Sequence, residues 1–156
     1  MIITVSDTRT SETDKSGQLI RELLEGRGHE VRSARIVADE YDRIRELLRS
    51  AAEDPAVEAV LLNGGTGIAA RDTTYEAVAG MLSKEMPGFG EIFRMLSFTE
   101  DIGTAAILSR AIAGTIGRTA VFSMPGSTGA VRLAMTRLIL PELGHVMREI
   151  YKDDPK

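Results

Sequence analysis

The run Val57-Glu58-Ala59-Val60-Leu61-Leu62 empties almost directly into Gly64-Gly65-Thr66-Gly67. Successive apolar residues fall on both faces of an extended segment, so this stretch predicts a strand buried on both sides. Such a strand needs helices above and below it, which confines the chain to an α/β sheet. The glycine-rich residues that follow expose backbone N–H groups at the carboxyl edge of that sheet. A phosphate can approach the main chain closely there, and a helix opening just beyond adds a favourable dipole. Arg71-Asp72 and then Thr73-Thr74, where that helix is expected, come next. The planar fork of Arg71 suits bidentate capture of a phosphoryl group. Asp72 is a candidate holder of a phosphate-bound divalent cation.

The rest of the chain supports the same architecture. Ile2 to Ser6 predicts a short buried strand, and Asp7 to Asp14 a polar loop. A helix is expected from Lys15 to Arg27, with Leu19, Ile20, Leu23 and Leu24 on one stripe and Gly26 and Gly28 ending it. Glu30 to Val37 predicts a second strand. Asp39 is a candidate N-cap for a helix whose inner face is Ile44, Leu47, Leu48 and Ala51, stopped at Glu53-Asp54-Pro55. The first sixty-odd residues thus alternate β-α-β-α-β, the mark of a largely parallel sheet covered by helices.

Beyond the glycine loop a helix is expected from Thr74 to Leu82, broken by Pro87-Gly88-Phe89-Gly90. Helical patterns resume across Glu91–Phe98 and Ile102–Leu108. Arg110–Ile116 and Arg118–Met124 predict two strands, suited to a hairpin about Gly117 or to an edge segment. A helix-like stretch covers Ala130–Leu138, Pro141 opens a last helix to Tyr151, and the charged tail Lys152–Lys156 is expected to fray. The broken segment, with Phe89 and Phe93 exposed, is a candidate lid or subunit contact. The methionines read as core or interface filler.

Ligands of open α/β sheets gather outside the carboxyl ends of the strands. Three such ends carry suitable chemistry: Ser6-Asp7, Gly64–Gly67 and Pro125-Gly126-Ser127. Each residue also has a plainer job. Asp39 and Asp72 are candidate helix caps, Ser127 a candidate turn or cap residue, and Glu76 a solvated helix residue or a neighbour of Asp72 across one turn. Gly65-Thr66-Gly67-Ile68-Ala69-Ala70 matches the loose dinucleotide pattern G-x-G-x-x-A, which leaves a nicotinamide-dependent oxidoreductase as a rival; Glu85 lies at about the required distance, but Ala77–Leu82 before it look helical, so the acid-tipped strand is missing.

Composition narrows the chemistry. The chain has 156 residues, enough for one domain with a proper core, and a net charge of −4 that disfavours nucleic acid as a partner. It has no cysteine and two histidines far apart, His29 and His145, which excludes disulfides and thiolate chemistry and disfavours a histidine-rich metal centre. No apolar run reaches membrane-spanning length, and Met1-Ile2-Ile3-Thr4-Val5 lacks the basic start of a signal peptide, so a cytoplasmic protein is expected.

Several ordered motifs together resemble the molybdenum cofactor biosynthesis proteins of the MoaB/MogA type. They are Gly64-Gly65-Thr66-Gly67 with Arg71-Asp72, Thr74 and Glu76; Lys84 through Glu91; Ser109-Arg110-Ala111 with Ala113-Gly114; and Pro125-Gly126-Ser127. The similarity runs from Thr4-Val5-Ser6-Asp7 to Pro141-Glu142-Leu143 and His145, and the segments around Gly88–Glu91 and Ile102-Gly103 are closer to the B-type branch. The resemblance implies one molybdopterin-binding domain over residues 1–156, a three-layer α-β-α sandwich around a mostly parallel sheet. It also implies trimers or hexamers, and transfer of an adenylyl group from Mg-ATP to the terminal phosphate of molybdopterin. The family's functional acids fall on Asp39 and Asp72, with Mg²⁺ as their expected ion. Its pterin- and phosphate-binding loops fall on Gly64–Gly67 and Pro125–Ser127, with Ser6 and Asp7 nearby. A catalytically silent molybdopterin carrier or scaffold is the rival within the same pathway.

Overall fold

The computed structural model describes residues 1–154. Strands β1 (Ile2–Val5), β2 (Ala34–Val37), β3 (Ala59–Asn63), β4 (Lys84–Glu85), β5 (Ile112–Ile116) and β6 (Thr119–Met124) form one sheet in the order β2-β1-β3-β6-β5-β4. Neighbours β2, β1, β3 and β6 are parallel, while β5 runs antiparallel to both β6 and β4. Helices α1 (Lys15–Glu25), α2 (Tyr41–Glu53), α3 (Thr74–Ala79), α4 (Pro87–Glu100), α5 (Thr128–Ala134) and α6 (Leu140–Tyr151) cover it. The result is the three-layer α-β-α sandwich expected for a mostly parallel sheet.

The two faces follow from the period of two along each strand. Ile3, Val60, Leu62, Ile112 and Val121 pack under α2 and α3, against Ile44, Leu48, Ala77 and Val78. Ile2, Leu61, Phe122 and Met124 turn the other way, toward Leu19, Ile20 and Leu24 of α1, Phe93 of α4, Val131 of α5 and Leu143 of α6. Because both faces are covered, every residue of β1 and β6 is buried. Full burial of each large aliphatic or aromatic side chain stabilises by about 1.5–3 kcal/mol.

Several expectations change where local pattern met tertiary constraint. The second strand is only Ala34–Val37, because β2 is the sheet edge and three of its four residues are exposed. Helix α3 ends at Ala79, and the two-residue edge strand β4 follows it. Pro87 does not interrupt a helix; it sits at the start of α4, where its missing N–H is no loss. Phe89 and Phe93 are not exposed. Phe93 is fully buried, and Phe89 packs edge-on against Phe122 with ring centroids 5.5 Å apart. Ile102–Leu108 coils as a 3₁₀ segment, Gly103–Leu108.

The two carboxyl-terminal helices run into one another through a π-helical turn, Met135–Ile139. Pro141 lacks an N–H and its ring crowds the carbonyl four residues back, so the regular ladder cannot run through it. A widened turn bridges the gap. The hairpin about Gly117 forms as expected, with that glycine at φ +57°. The tail is tied down as far as it is described. Arg118 pairs with Asp154 and lies 4.5 Å from the centroid of the Tyr151 ring, whereas Pro155 and Lys156 fall outside the described residues. Truncating Phe93, which bridges α4 and the sheet, to alanine is expected to cost about 3–5 kcal/mol, read as a shift in the urea midpoint at unchanged slope.

Candidate functional site

Strands β1, β3 and β6 are neighbours in the sheet, so the loops at their carboxyl ends emerge side by side. Gly64 N–H donates to the Met124 carbonyl at 3.1 Å, and a Cβ on Gly126 would lie 3.1 Å from Gly64 Cα. Gly64 has φ +99°, and a side chain there would overlap the Val5 carbonyl oxygen. The end of β2 joins the same crevice: Asp39 N–H donates to Asp7 Oδ1 at 3.0 Å. Thr73 closes the set, its N–H and hydroxyl donating to Asp39 Oδ1 at 3.0 and 2.8 Å.

Asp39 therefore does not cap its own helix, whose N-cap Glu40 makes no side-chain bond; it braces the start of α3 across the crevice. It is buried, and its Oδ2 has no hydrogen-bond partner among the described residues. That oxygen would lie 2.5 Å from a Cβ on Gly65 (φ +64°), so glycine is what lets the loop pass beside the carboxylate. Asp72 does not cap α3 either. Its Oδ2 accepts the Ala69 N–H at 3.0 Å and closes the glycine loop, leaving Oδ1 without a partner among the described residues. A side chain on Gly67 would overlap Asp72, so the loop threads between two carboxylates. Among the described residues no protein group accepts the N–H groups of Gly65, Thr66, Gly67 or Ile68. Thr66 itself is buried.

The remaining expected residues are present but differently engaged. The fork of Arg71 is occupied by Asp7, with Nε to Oδ2 and Nη2 to Oδ1 both at 2.9 Å. That hydrogen-bonded pairing, with the Asp39 N–H adding to it, holds the Asp7 carboxyl below the usual aspartate range and pushes Arg71 upward. Glu76 turns away from Asp72 and pairs with Arg110, which lowers its carboxyl likewise. Ser6 Oγ accepts the N–H groups of Thr8 and Arg9 at 3.2 and 3.1 Å. Ser127 is the N-cap of α5, its Oγ accepting the Ala130 N–H at 3.2 Å, beside Pro125 and Gly126.

Two further arginines reach the site: Arg9, which no local signal marked, and Arg110, which the Ser109-Arg110-Ala111 motif contains without showing its task. Arg9 Nη2 donates to the Gly126 carbonyl at 3.0 Å while Nη1 reaches Ser16. Arg110 gathers the glycine loop from the far side. Beneath the crevice lies a buried polar network. Asp14 Oδ2 accepts from Thr4 at 2.6 Å, its Oδ1 accepts the Gly17 N–H at 3.0 Å, and Ser16 donates to Asn63 Oδ1 at 2.8 Å. Asp14 is the N-cap of α1, a role legible in Asp14-Lys15-Ser16-Gly17; its ties to Thr4, and through Ser16 to Asn63, are not. A strand does end in Glu85, contrary to expectation, but β4 is a two-residue antiparallel edge strand and α3 opens only at Thr74, well past Gly67, so the dinucleotide pattern fails on geometry. A cavity of about 370 Å³ lined by Met1, His29, Arg32, Glu58 and Met147 lies at the opposite edge of the sheet. At the carboxyl ends of β1, β3 and β6 the loop residues range from buried to exposed.

The protein is thus an α/β sandwich with unpaired main-chain donors and two available carboxylate oxygens at one sheet edge. Residues 1–145 match the family described as "Probable molybdopterin binding domain". The chain is 71% identical to the molybdenum cofactor biosynthesis protein B of Halalkalibacterium halodurans over 153 residues, covering 98% of this chain and 90% of that one. A crystal structure of a molybdenum cofactor biosynthesis protein B superposes with a TM-score of 0.95 at 59% identity, covering 97% and 94% of the two chains. A structure of MogA gives 0.86 at 30% identity, covering 96% and 97%. The chain belongs to the molybdopterin-binding domain family, among the molybdenum cofactor biosynthesis B proteins.

The Asp7–Arg71 pair has a pH signature. A carboxyl depressed in the folded protein contributes stability above its unfolded pKa and loses it as pH falls through the lower folded value. Titration of the Asp7 carboxyl carbon by NMR is expected to give a midpoint below the ordinary value of about 3.9, and Arg71→Ala to raise it back toward that value.

Proposed function

We propose that this protein binds molybdopterin in the crevice and adenylylates its terminal phosphate with Mg-ATP. An oxygen of that phosphate attacks the α-phosphorus of ATP, the bond from the α-phosphorus to the bridging oxygen of the β-phosphate breaks, and pyrophosphate leaves. The nucleophile belongs to the substrate, so no cysteine, serine–histidine pair or covalent enzyme intermediate is needed. Catalysis is then positioning and charge neutralisation about the α-phosphoryl group. One observation carries this reading: the loop whose Gly65–Ile68 N–H groups go unaccepted passes, at Gly65 and Gly67, beside Asp39 and Asp72, each of which keeps an unpaired oxygen.

The donor set suits Mg²⁺. That ion takes one or two carboxylates and completes its shell with water and substrate phosphate. Asp39 Oδ2 and Asp72 Oδ1 supply that number, and no cluster of three or more such side chains forms a closed cage among the described residues. Bound there, the ion neutralises the phosphate charge that two aspartates would otherwise repel. Asp39 and Asp72 hold their orientation through Thr73 and Ala69, while the Gly65–Ile68 amides and the end of α5 at Ser127 receive phosphate oxygens.

The test is incubation of the protein with molybdopterin and Mg-ATP, followed by mass detection of the adenylylated product. Asp72→Asn is expected to lower turnover by a factor on the order of 10² to 10³ while molybdopterin affinity changes little. Undiminished turnover in that variant removes Asp72 from the mechanism, and binding without product in the wild type leaves a carrier.

The same reading includes a homo-oligomer, a trimer or a hexamer. An apolar surface supports it: Ile92, Met95 and Phe98 of α4 and Ile102, Ile107 and Leu108 beside it are exposed, Ile107 at 82%. Large apolar side chains exposed together on neighbouring elements mark a surface fit for a protein contact. Ile107→Glu is expected to convert the wild-type oligomer to monomer in light scattering, without loss of helical signal. A monomeric wild type ends this part of the proposal.

A further inference from the structure

Arg110 belongs to the Ser109-Arg110-Ala111 motif, just before β5, and the proposed chemistry gives it no task. Its guanidinium is almost wholly committed to the protein. Nε donates to the Thr66 carbonyl at 3.3 Å, Nη2 to the Gly67 carbonyl and, at 3.5 Å, toward that of Asp72, and Nη1 to Glu76 Oε1. The plane lies over the Tyr75 ring, 5.0 Å from its centroid. Four of the five N–H groups an arginine carries are therefore directed at protein acceptors, and little is left for a ligand.

The consequence follows from peptide geometry. In a trans peptide the carbonyl of one residue and the N–H of the next point in opposite directions. Drawing the Thr66 and Gly67 carbonyls onto Arg110 turns the N–H groups of Gly67 and Ile68 away from it. Those are two of the donors that no protein acceptor satisfies. Glycine at 67 has no side chain to resist rotation, so a loop of this composition does not hold that orientation unaided. The loop also has Asp72 bonded to Ala69 at its far end, which leaves the two peptides between as the part needing an outside anchor.

We propose that Arg110 is a positioning residue that presets the glycine loop as an anion cradle, by fixing the Thr66–Gly67 and Gly67–Ile68 peptides with their N–H groups facing outward. Glu76 and Tyr75 hold the guanidinium in place, one by charge and one by its ring face. This rests on the reading that the loop receives phosphate. A lysine at this position keeps the charge opposite Glu76, but an ammonium has no planar fork with which to span two carbonyls and a carboxylate.

The experiment compares wild type, Arg110→Lys and Arg110→Ala by ¹⁵N relaxation without ligand and by molybdopterin affinity. In the wild type the Gly65–Ile68 amides are expected near the rigid order parameter of about 0.85, falling below about 0.6 in both variants while β3 stays rigid. Molybdopterin affinity is expected to drop by roughly tenfold or more in both. Arg110→Lys serves where the alanine variant does not fold, and rigid β3 amides separate loop release from general unfolding. Unchanged loop order in a folded variant overturns the proposal, as does loop release with undiminished affinity. If the wild type does not bind molybdopterin, the phosphate reading falls by itself, and the amide order then decides whether Arg110 sets the loop.

Discussion

At Gly64 the chain leaves β3 with φ +99° and passes so close to β1 that any side chain would overlap the Val5 carbonyl oxygen. The same residue donates to Met124 at the end of β6 and lies under Gly126. Three strand ends can meet at hydrogen-bond distance only because this crossing point carries no Cβ. Widening it by one methyl group would part β3 from β1, and the loops that line the crevice would separate with them. The adjacency of β1, β3 and β6 brings the corners together, and Gly64 lets them close.

Around that crossing the arginines are committed to the protein itself, two to main-chain carbonyls and one to a carboxylate. Arg9 grips the carbonyl of Gly126, Arg110 those of Thr66 and Gly67, and Arg71 ties Asp7 to the glycine loop. The exposed Arg71–Asp7 ion pair adds little stability. The consequence of these contacts is geometric: carbonyls and the Asp7 carboxylate are drawn to cations, while loop N–H groups and single oxygens of Asp39 and Asp72 are left over. The function proposed above uses that remainder of unsatisfied groups, so the same hydrogen bonds that brace the loops set which groups stay free.

The parts legible beforehand were those written in short-range pattern. The buried runs at Ile2–Val5 and Val57–Leu62, the stripe of Leu19, Ile20 and Leu24, and the hairpin glycine at 117 all follow from local spacing. The edge strand β4 could not be seen, and β2 was legible but is shorter than its pattern predicts, because a strand at a sheet edge takes its form from a neighbour and not from its own residues. Phe89 and Phe93 look exposed beside Pro87 and two glycines, yet helix α4 rotates them onto the sheet. Pro141 marks a helix start in the sequence; in the fold the preceding helix simply widens to accommodate it.

The sequence alone determined that a parallel sheet would be covered on both faces, and that glycine-rich turns with nearby carboxylates would stand at its carboxyl edge. Periodicity and the absence of side chains are local properties, readable one segment at a time. Tertiary structure decided what each charged side chain does. Asp39 braces Thr73 instead of its own helix, Arg71 answers Asp7, and Glu76 answers Arg110. Those partners lie between 34 and 64 positions apart. A long side chain can reach any of several acceptors, and only the folded positions of the strands select one.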